Sequence, residues 1–230
     1  MSRNSAALLV LLGVAGISCR HVAPTLALPG TWPALVTSAP PFVALYRLSC
    51  CGQRELLATV RAGEGKLSVT VVAPPGATVV EAWLAGSEGW IAADGGRCRS
   101  ALQPGSLPLP GGRSLPLDSS LAALVLAGRV PTDASPAPEG GPWLNGASEA
   151  WWWRAEVVGQ PPRCERFILG HAGADATADI ELGSHRGSIP GRLRIVAGSE
   201  VVDLTLVEWR ASEAPDPPGW LAAPRCSGGT

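Results

Sequence analysis

The residues that could perform catalysis in this chain are few. The segment GSHRGS brings Ser184, His185 and Ser188 together, and these are the residue types of a hydrolase with an activated serine. Neighbours in sequence seldom form a catalytic triad, and the G-x-S-x-G turn that presents a nucleophilic serine does not occur. A secreted hydrolase that uses Ser184 or His185 is therefore the last of three functional hypotheses.

Other signatures of catalysis and of cofactor binding are missing from the sequence. His21 precedes the first predicted strand, and His171 and His185 fall in polar turns. No histidine stands at ligand spacing from a cysteine and no C-x-x-C occurs, so we predict no metal site. Acidic residues occur singly on outward strand faces, and no phosphate-binding glycine loop is present. The sequence therefore predicts a protein that is not an enzyme and holds no cofactor.

Composition favours a β-rich domain without affinity for nucleic acid. The 230 residues are 46% hydrophobic and 16% charged, and 18 basic residues oppose 19 acidic ones. This balance supplies no electrostatic attraction to a polyanion. The 28 glycines and 22 prolines indicate many turns and few long helices.

The N-terminus predicts export and an attachment to a membrane. Arg3 precedes an apolar run that ends at Ile17, which predicts a signal peptide over residues 1–18. The following VAGISC resembles a bacterial lipobox, in which Cys19 would carry acyl chains such as palmitate. Arg20 after it, in place of an aspartate, favours an outer-membrane lipoprotein that faces the periplasm. The alternative is an ordinary secretory signal that leaves Cys19 unmodified.

The remaining cysteines are candidates for disulfides, because an exported chain meets an oxidising compartment. They are Cys50, Cys51, Cys98, Cys164 and Cys226. Adjacent residues of a strand point to opposite faces, so Cys50 and Cys51 are not expected to pair with each other. We expect one of them to bridge elsewhere and the other to pack as a small hydrophobic residue. The sequence does not determine the connectivity.

Alternating apolar and polar residues predict about ten antiparallel strands in two β-rich halves. The apolar positions are Phe42, Ala44, Tyr46, Leu48 and Cys50; Leu56, Ala58 and Val60; Leu67, Val69 and Val71; Val80, Ala82 and Leu84; Ala178, Ile180 and Leu182; Leu193 and Ile195; and Val202, Leu204 and Leu206. Glu81 and Trp83 fall on the opposite face. A sheet of this size must curl over something that covers its apolar face.

One clear helix separates the two halves. In DSSLAALVLAGRVP, Asp118 or Ser119 caps the helix, and Gly128 with Pro131 ends it. Leu121, Leu124 and Val125 form its predicted apolar stripe. A loop rich in proline, glycine, serine and leucine precedes it over residues 99–118. The predicted organisation is a lipid-anchored tether with a short helix over residues 19–40, one domain over 41–210, and a proline-rich tail over 211–230.

The run AWWWR opens one of the later strands. Alternation places Trp151 and Trp153 on the apolar face and Trp152 on the other face with Arg154. Trp151 and Trp153 would either fill the core or line the mouth of a cavity. Trp152 would either pack under a loop or face an interface.

The layout of the chain resembles the LolA/LolB-type lipoprotein fold. LYRLSCCGQRELLATVRAGEGKLSVTVVAPPGATVVEAWLAGSEGWIAADG is similar to the opening meander of that family. LAALVLAGRVP looks like the short helix between the halves, and RLRIVAGSEVVDLTLVEWR is similar to the closing hairpin. The resemblance implies an unclosed antiparallel half-barrel, with a short helix covering a concave face that can accommodate acyl chains.

Two further hypotheses follow from this resemblance. In the first, an exported lipoprotein binds a lipid or acyl chain in its concave face, with a possible role in handling lipoproteins at the outer membrane. In the second, the same fold has a filled core and acts as a scaffold for an envelope protein partner. The residues we predict to line the cavity are Phe42, Tyr46, Leu48, Leu67, Val69, Val71, Trp151, Trp153, Ile180, Leu193, Leu204 and Leu206.

Overall fold

The computed structural model describes most of the chain from residue 38 onward. The described ranges are 38–50, 52–74, 76–109, 114–149, 151–173, 176–187 and 189–226. The predicted signal peptide, Cys19, the short helix of the tether and Cys51 lie outside the described residues.

The first half of the chain forms an antiparallel meander that we call the first arm. Its strands are β1 Phe42–Cys50, β2 Gln53–Gly63, β3 Lys66–Ala73, β4 Ala77–Ala85, β5 Glu88–Ala93 and β6 Cys98–Ala101. Each pairs with the next in sequence, as the short turns between them predict.

A covering layer, which we call the cover, separates this arm from the second. It consists of the hairpin β7 Ser106–Pro108 and β8 Ser114–Pro116, followed by the helix α1 Ser119–Leu126. The second arm contains β9 Ser135–Pro136, β10 Trp143–Ala147, β11 Trp151–Val158, β12 Arg163–His171, β13 Ala176–Gly183, β14 Arg192–Ala197 and β15 Glu200–Ala211.

Both arms belong to one curved sheet that does not close. Its order is β6-β5-β4-β3-β2-β1-β15-β14-β13-β12-β11-β10-β9, so the first and last strands meet in the middle. The predicted half-barrel is confirmed. The strand count of about ten was too low, because the described residues form 13 strands in this sheet. The additional strands are short, and the hairpin β7–β8 lies within the segment 99–118, whose composition predicted a loop.

The predicted alternation matches the burial of the strands. In β1, Phe42, Tyr46 and Cys50 are buried on the concave face, while Arg47 and Ser49 on the other face are exposed. Trp83 departs from the prediction, since it is 4% exposed although it shares the convex face with Glu81. Its cross-strand partners are Ser68 and Trp90, so a second large ring lies beside it.

The helix begins and ends as the sequence predicts. The Asp118 carboxylate accepts a hydrogen bond from the Leu121 amide at 2.8 Å, which makes Asp118 the N-cap. Gly128 has a φ of 64°, and the Arg129 amide donates to the Leu124 carbonyl at 2.8 Å. This bond closes a Schellman motif. The predicted stripe was partly wrong, because Leu124 is half-buried while Ala122 and Ala123 are buried.

The proline-rich tail after β15 crosses to the edge of the first arm. A 3-10 turn over Gly219–Ala222 precedes a short parallel bridge between Arg99 of β6 and Arg225. The Arg99 amide donates to the Pro224 carbonyl at 3.0 Å, and the Cys226 amide donates to the Arg99 carbonyl at 3.1 Å. The tail therefore pairs with an edge strand that would otherwise present unpaired backbone groups.

Candidate functional site

An apolar cavity of about 150 Å³ lies between the concave face and the cover. The sheet contributes Leu48, Ala58, Val60, Leu67, Val69, Val71, Val80, Ala82, Ile91, Ile180, Leu193, Ile195, Val202 and Leu204, and the cover contributes Leu107, Leu109, Leu115, Leu117, Ala122, Val125 and Leu126. No charged or hydroxyl-bearing side chain is among these residues. The cavity therefore suits hydrocarbon and offers nothing to balance a charge.

The cover is fastened to the rim of the first arm by Ser119. Its hydroxyl lies 2.5 Å from the Gly65 carbonyl oxygen and 3.3 Å from that of Gly86. Its amide also donates to the Gly86 carbonyl at 3.3 Å. Gly65 and Gly86 belong to the turns after β2 and β4, so one fully buried serine joins α1 to two hairpin ends.

The structure distributes the twelve predicted cavity residues over the whole concave face. Seven line the cavity: Leu48, Leu67, Val69, Val71, Ile180, Leu193 and Leu204. Phe42, Tyr46 and Leu206 are buried elsewhere on that face, and Trp151 and Trp153 lie in the second arm. Whether any of them contacts a ligand stays a prediction.

The twelve predicted cavity residues include none from the cover. Leu107, Leu109, Leu115 and Leu117 close the cavity opposite the sheet. These leucines alternate with serine and proline in the segment SLPL, which occurs at 106–109 and again at 114–117. That repeat was the available signal, because alternation over four residues predicts a short strand with one apolar face.

The cavity is small for a lipid. Ligand pockets commonly measure about 300–1,000 Å³, whereas this cavity of about 150 Å³ is near the size that accepts a single benzene-like molecule. A longer acyl chain would need the cover to move outward. The hairpin and α1 form a separate layer that is not part of the large sheet.

Comparison with known proteins identifies the fold. No protein-family profile matches the chain, and neither does any curated protein. A LolA superfamily protein from Nitrosomonas europaea matches with a TM-score of 0.52 and 12% identity, covering 81% of this chain and 92% of that one. A domain described as outer-membrane lipoprotein-sorting, from Vibrio parahaemolyticus, matches with a TM-score of 0.54 and 8% identity over the same shares.

The chain has a LolA-like fold. At these identities the likeness concerns the fold alone. In both comparisons the matched share of the chain is large enough to include both arms.

One polar atom is buried within the apolar face of this LolA-like sheet. Tyr46 is fully buried, and its hydroxyl has no hydrogen-bond partner among the described residues. Burial raises the pKa of the phenol, so the side chain stays neutral. Its cross-strand neighbour Ala58 lines the cavity, which places Tyr46 directly beside the cavity wall.

The disulfide of the LolA-like domain joins Cys98 of β6 to Cys226 of the tail, across 128 residues of sequence. Cys50 is buried on the concave face and takes no part in a disulfide, so the expectation that one of Cys50 and Cys51 bridges elsewhere is not met by Cys50. Burial raises the pKa of the Cys164 thiol, which therefore stays protonated at neutral pH.

The three tryptophans of β11 use both faces of the LolA-like sheet. Trp153 is buried on the concave face opposite Gly146, and Trp151 packs at the margin of the core. Trp152 is half-buried on the convex face opposite Gly170. A Cβ atom added to either glycine would lie 2.5 Å from a tryptophan ring, so each indole occupies the space beside a glycine.

Two of the three hydrolase candidates lie in the described residues. A ring nitrogen of His185 donates to the Cys164 carbonyl at 3.0 Å, and Ser184 is exposed. Ser188 lies outside the described residues. No group of three or more metal-ligating side chains occurs in the part of the chain that the structure describes. The described ranges also contain no helix that is long and apolar enough to cross a membrane.

A second groove, of about 480 Å³, lies at the β9–β10 edge of the LolA-like sheet and is lined by both polar and apolar groups. Asp133, Glu139, Asn145 and Arg154 line it beside Trp152. Arg154 forms an ion pair with Glu139, which neutralises most of its charge locally. This groove offers hydrogen bonds where the cavity under the cover offers only hydrocarbon contacts.

Proposed function

We propose that this protein is a non-enzymatic, exported lipoprotein of the bacterial envelope that holds the acyl chain of a lipid beneath its cover. The observation that carries the proposal is the cavity, whose lining residues are all apolar and come from the sheet, the hairpin and α1 together. A cavity filled only with hydrocarbon contacts favours a ligand without polar groups at that depth.

The fold gives further support. Two LolA-like structures cover most of the chain, and one of them is described as an outer membrane lipoprotein-sorting protein domain. We infer that this chain also works in the envelope and that its ligand is a lipid or a lipid-modified protein. In this reading the 150 Å³ cavity is the closed form, and uptake moves the cover outward.

The proposal predicts uptake of a fluorescent fatty acid by the purified chain. Ala122 of α1 lines the cavity, so Ala122→Leu fills part of it with side-chain atoms. We expect the variant to bind the probe at least tenfold more weakly while its thermal stability is kept or raised, because filling a void improves packing. The exposed Ser120 provides the control, since Ser120→Leu adds a similar side chain outside the cavity.

Two results would contradict lipid binding. One is a protein that takes up no probe and carries no lipid in native mass spectrometry after purification from membranes. The other is a probe that binds equally to the wild type and to Ala122→Leu. Either result would favour the scaffold hypothesis, in which the cavity is only a packing void and an envelope partner binds elsewhere.

The anchor is tested separately. We propose that Cys19 is acylated and attaches the protein to the outer membrane on its periplasmic side. Growth with radioactive palmitate should label the wild type and not Cys19→Ala. An unlabelled wild-type protein in the soluble periplasmic fraction would support the ordinary secretory signal instead.

A further inference from the structure

Two arginines meet over one tryptophan at the β6 edge of the sheet. The guanidinium carbon of Arg99 lies 4.3 Å from the centroid of the Trp90 ring, and that of Arg225 lies 5.1 Å from it. Because both distances are measured to the same ring centroid, the two guanidinium carbons can be no farther apart than the sum of the two distances. Arg99 and Arg225 also face each other across the parallel bridge between β6 and the tail.

Neither arginine has an acidic partner in the described part of the chain. The ion pairs found there use other arginines, such as Arg154, Arg166 and Arg192, each beside a carboxylate. One guanidinium over an indole already forms a favourable cation–π contact. The second adds repulsion between like charges.

A buried donor at this place also lacks an acceptor. The Nε atom of Arg99 is inaccessible to solvent and has no hydrogen-bond partner among the described residues. A charged donor that is left without an acceptor costs more free energy than a neutral one. The two arginines therefore supply positive charge and hydrogen-bond donors, and no described residue supplies them with a negatively charged acceptor.

The backbone holds both side chains in place. Two hydrogen bonds join β6 to the tail on either side of Arg99, and the Cys98–Cys226 disulfide lies one residue away on both strands. Trp90 points to the convex face because its neighbour Ile91 lines the cavity on the concave face. The cluster is thus separated from the cavity by the thickness of the sheet.

We propose that Arg99, Arg225 and Trp90 form a binding site for a phosphate-type oxyanion. The planar fork of a guanidinium matches two phosphate oxygens, and two such forks without a competing carboxylate match the charge of a phosphate ester. The ester can be a soluble phosphate compound or the headgroup of an anionic lipid, since both present the same oxygens. The site stands independently of lipid uptake in the cavity.

Titration with inorganic phosphate, followed by NMR at the indole N–H of Trp90, tests the site. We expect a saturable shift in the full chain that weakens as salt is added. Arg99→Gln and Arg225→Gln should each weaken binding ~10- to 100-fold, because each removes a charged hydrogen-bond donor. Arg61→Gln is the control, because it removes the same charge from an exposed position in β2. Arg225 is itself exposed, so its variant should fold even if the Arg99 variant does not.

Vesicles identify the source of the phosphate. If phosphatidic acid vesicles bind the wild type but not the double variant, and phosphatidylcholine vesicles bind neither, the ligand is a lipid headgroup. If phosphate binds and vesicles do not, the ligand is a soluble ester. The site is refuted by the absence of a saturable shift together with no preference for phosphatidic acid, or by an equal loss of phosphate affinity in Arg61→Gln.

Discussion

At the scale of single residues, two glycines decide where the tryptophans of β11 can lie. Trp153 is 1% exposed, and its ring occupies the space that a side chain at position 146 would need. We expect Gly146→Ala to destabilise the protein by about 2–3 kcal/mol, because a buried indole has no free space to move into. Urea unfolding followed by circular dichroism measures the difference.

Two matched glycines make that result interpretable. At Gly170 the same substitution meets the half-buried Trp152, which can tilt toward solvent, so we expect a loss of only about 1 kcal/mol. At Gly183 an added Cβ meets nothing within 4 Å, so we expect almost no change. Equal losses at all three positions would mean that β-strand backbone effects dominate over the tryptophan contacts.

Tyr46 carries a hydroxyl that does nothing for the stability of the described structure. Replacing it with phenylalanine keeps the ring and removes an unsatisfied buried group, so Tyr46→Phe should be more stable by about 1 kcal/mol. Urea unfolding at neutral pH checks this. A less stable variant would mean that an ordered water satisfies the hydroxyl.

The same side chain makes stability depend on alkaline pH. The folded pKa of Tyr46 is raised above its unfolded value near 10, so its contribution is complete below about pH 10. It is lost as the pH rises further, because only the unfolded chain then releases the proton. We expect wild-type stability to fall more steeply above that pH than the stability of Tyr46→Phe. The chain has one tyrosine, so an ultraviolet absorbance titration reports on this group directly.

At the scale of elements, the fastening of the cover sets how easily the cavity opens. Ser119→Ala removes the hydroxyl that joins α1 to the Gly65 and Gly86 carbonyls. We expect a loss of about 1 kcal/mol and faster hydrogen exchange in α1, while exchange in β1 and β15 stays unchanged. Ser120→Ala is the control, because Ser120 is exposed. Unchanged exchange in α1 would show that the leucine contacts alone hold the cover.

The elements that could be predicted are those whose signal is local. The alternation of β1 and of β14 depends on residues that are close together in sequence, and so does the helix cap at Asp118. The structure confirms all three predictions. The pairing of β1 with β15 depends on residues far apart in the chain, so alternation does not predict it. A strand as short as β9 is too brief for a period to be recognised.

The site was less predictable than the fold, for a geometric reason. Alternation states which face of a strand is apolar and does not state where along that face the packing leaves a void. Leu48 and Phe42 therefore received the same prediction, yet only Leu48 lines the cavity. The arginines over Trp90 could not be found at all, because a disulfide of unknown connectivity brings Arg225 to β6.

At the scale of the whole molecule, the Cys98–Cys226 disulfide ties the tail to the far edge of the sheet. It closes a loop of 128 residues. Reduction should therefore lower the stability by about 3 kcal/mol and expose the tail to proteases. Urea unfolding and limited proteolysis, each with and without reductant, measure these effects. The double variant Cys98→Ser/Cys226→Ser should show the lower stability and be insensitive to reductant.

The meeting of β1 and β15 in the middle of the sheet has a consequence for biosynthesis. β1 emerges first and pairs with β2, but its other neighbour is the last strand to be made. Until then a regular strand with one apolar face presents unpaired amides and carbonyls, a template on which another chain can add. The newly synthesised first arm is thus prone to aggregation, and the time needed to synthesise the second arm determines how long that risk lasts.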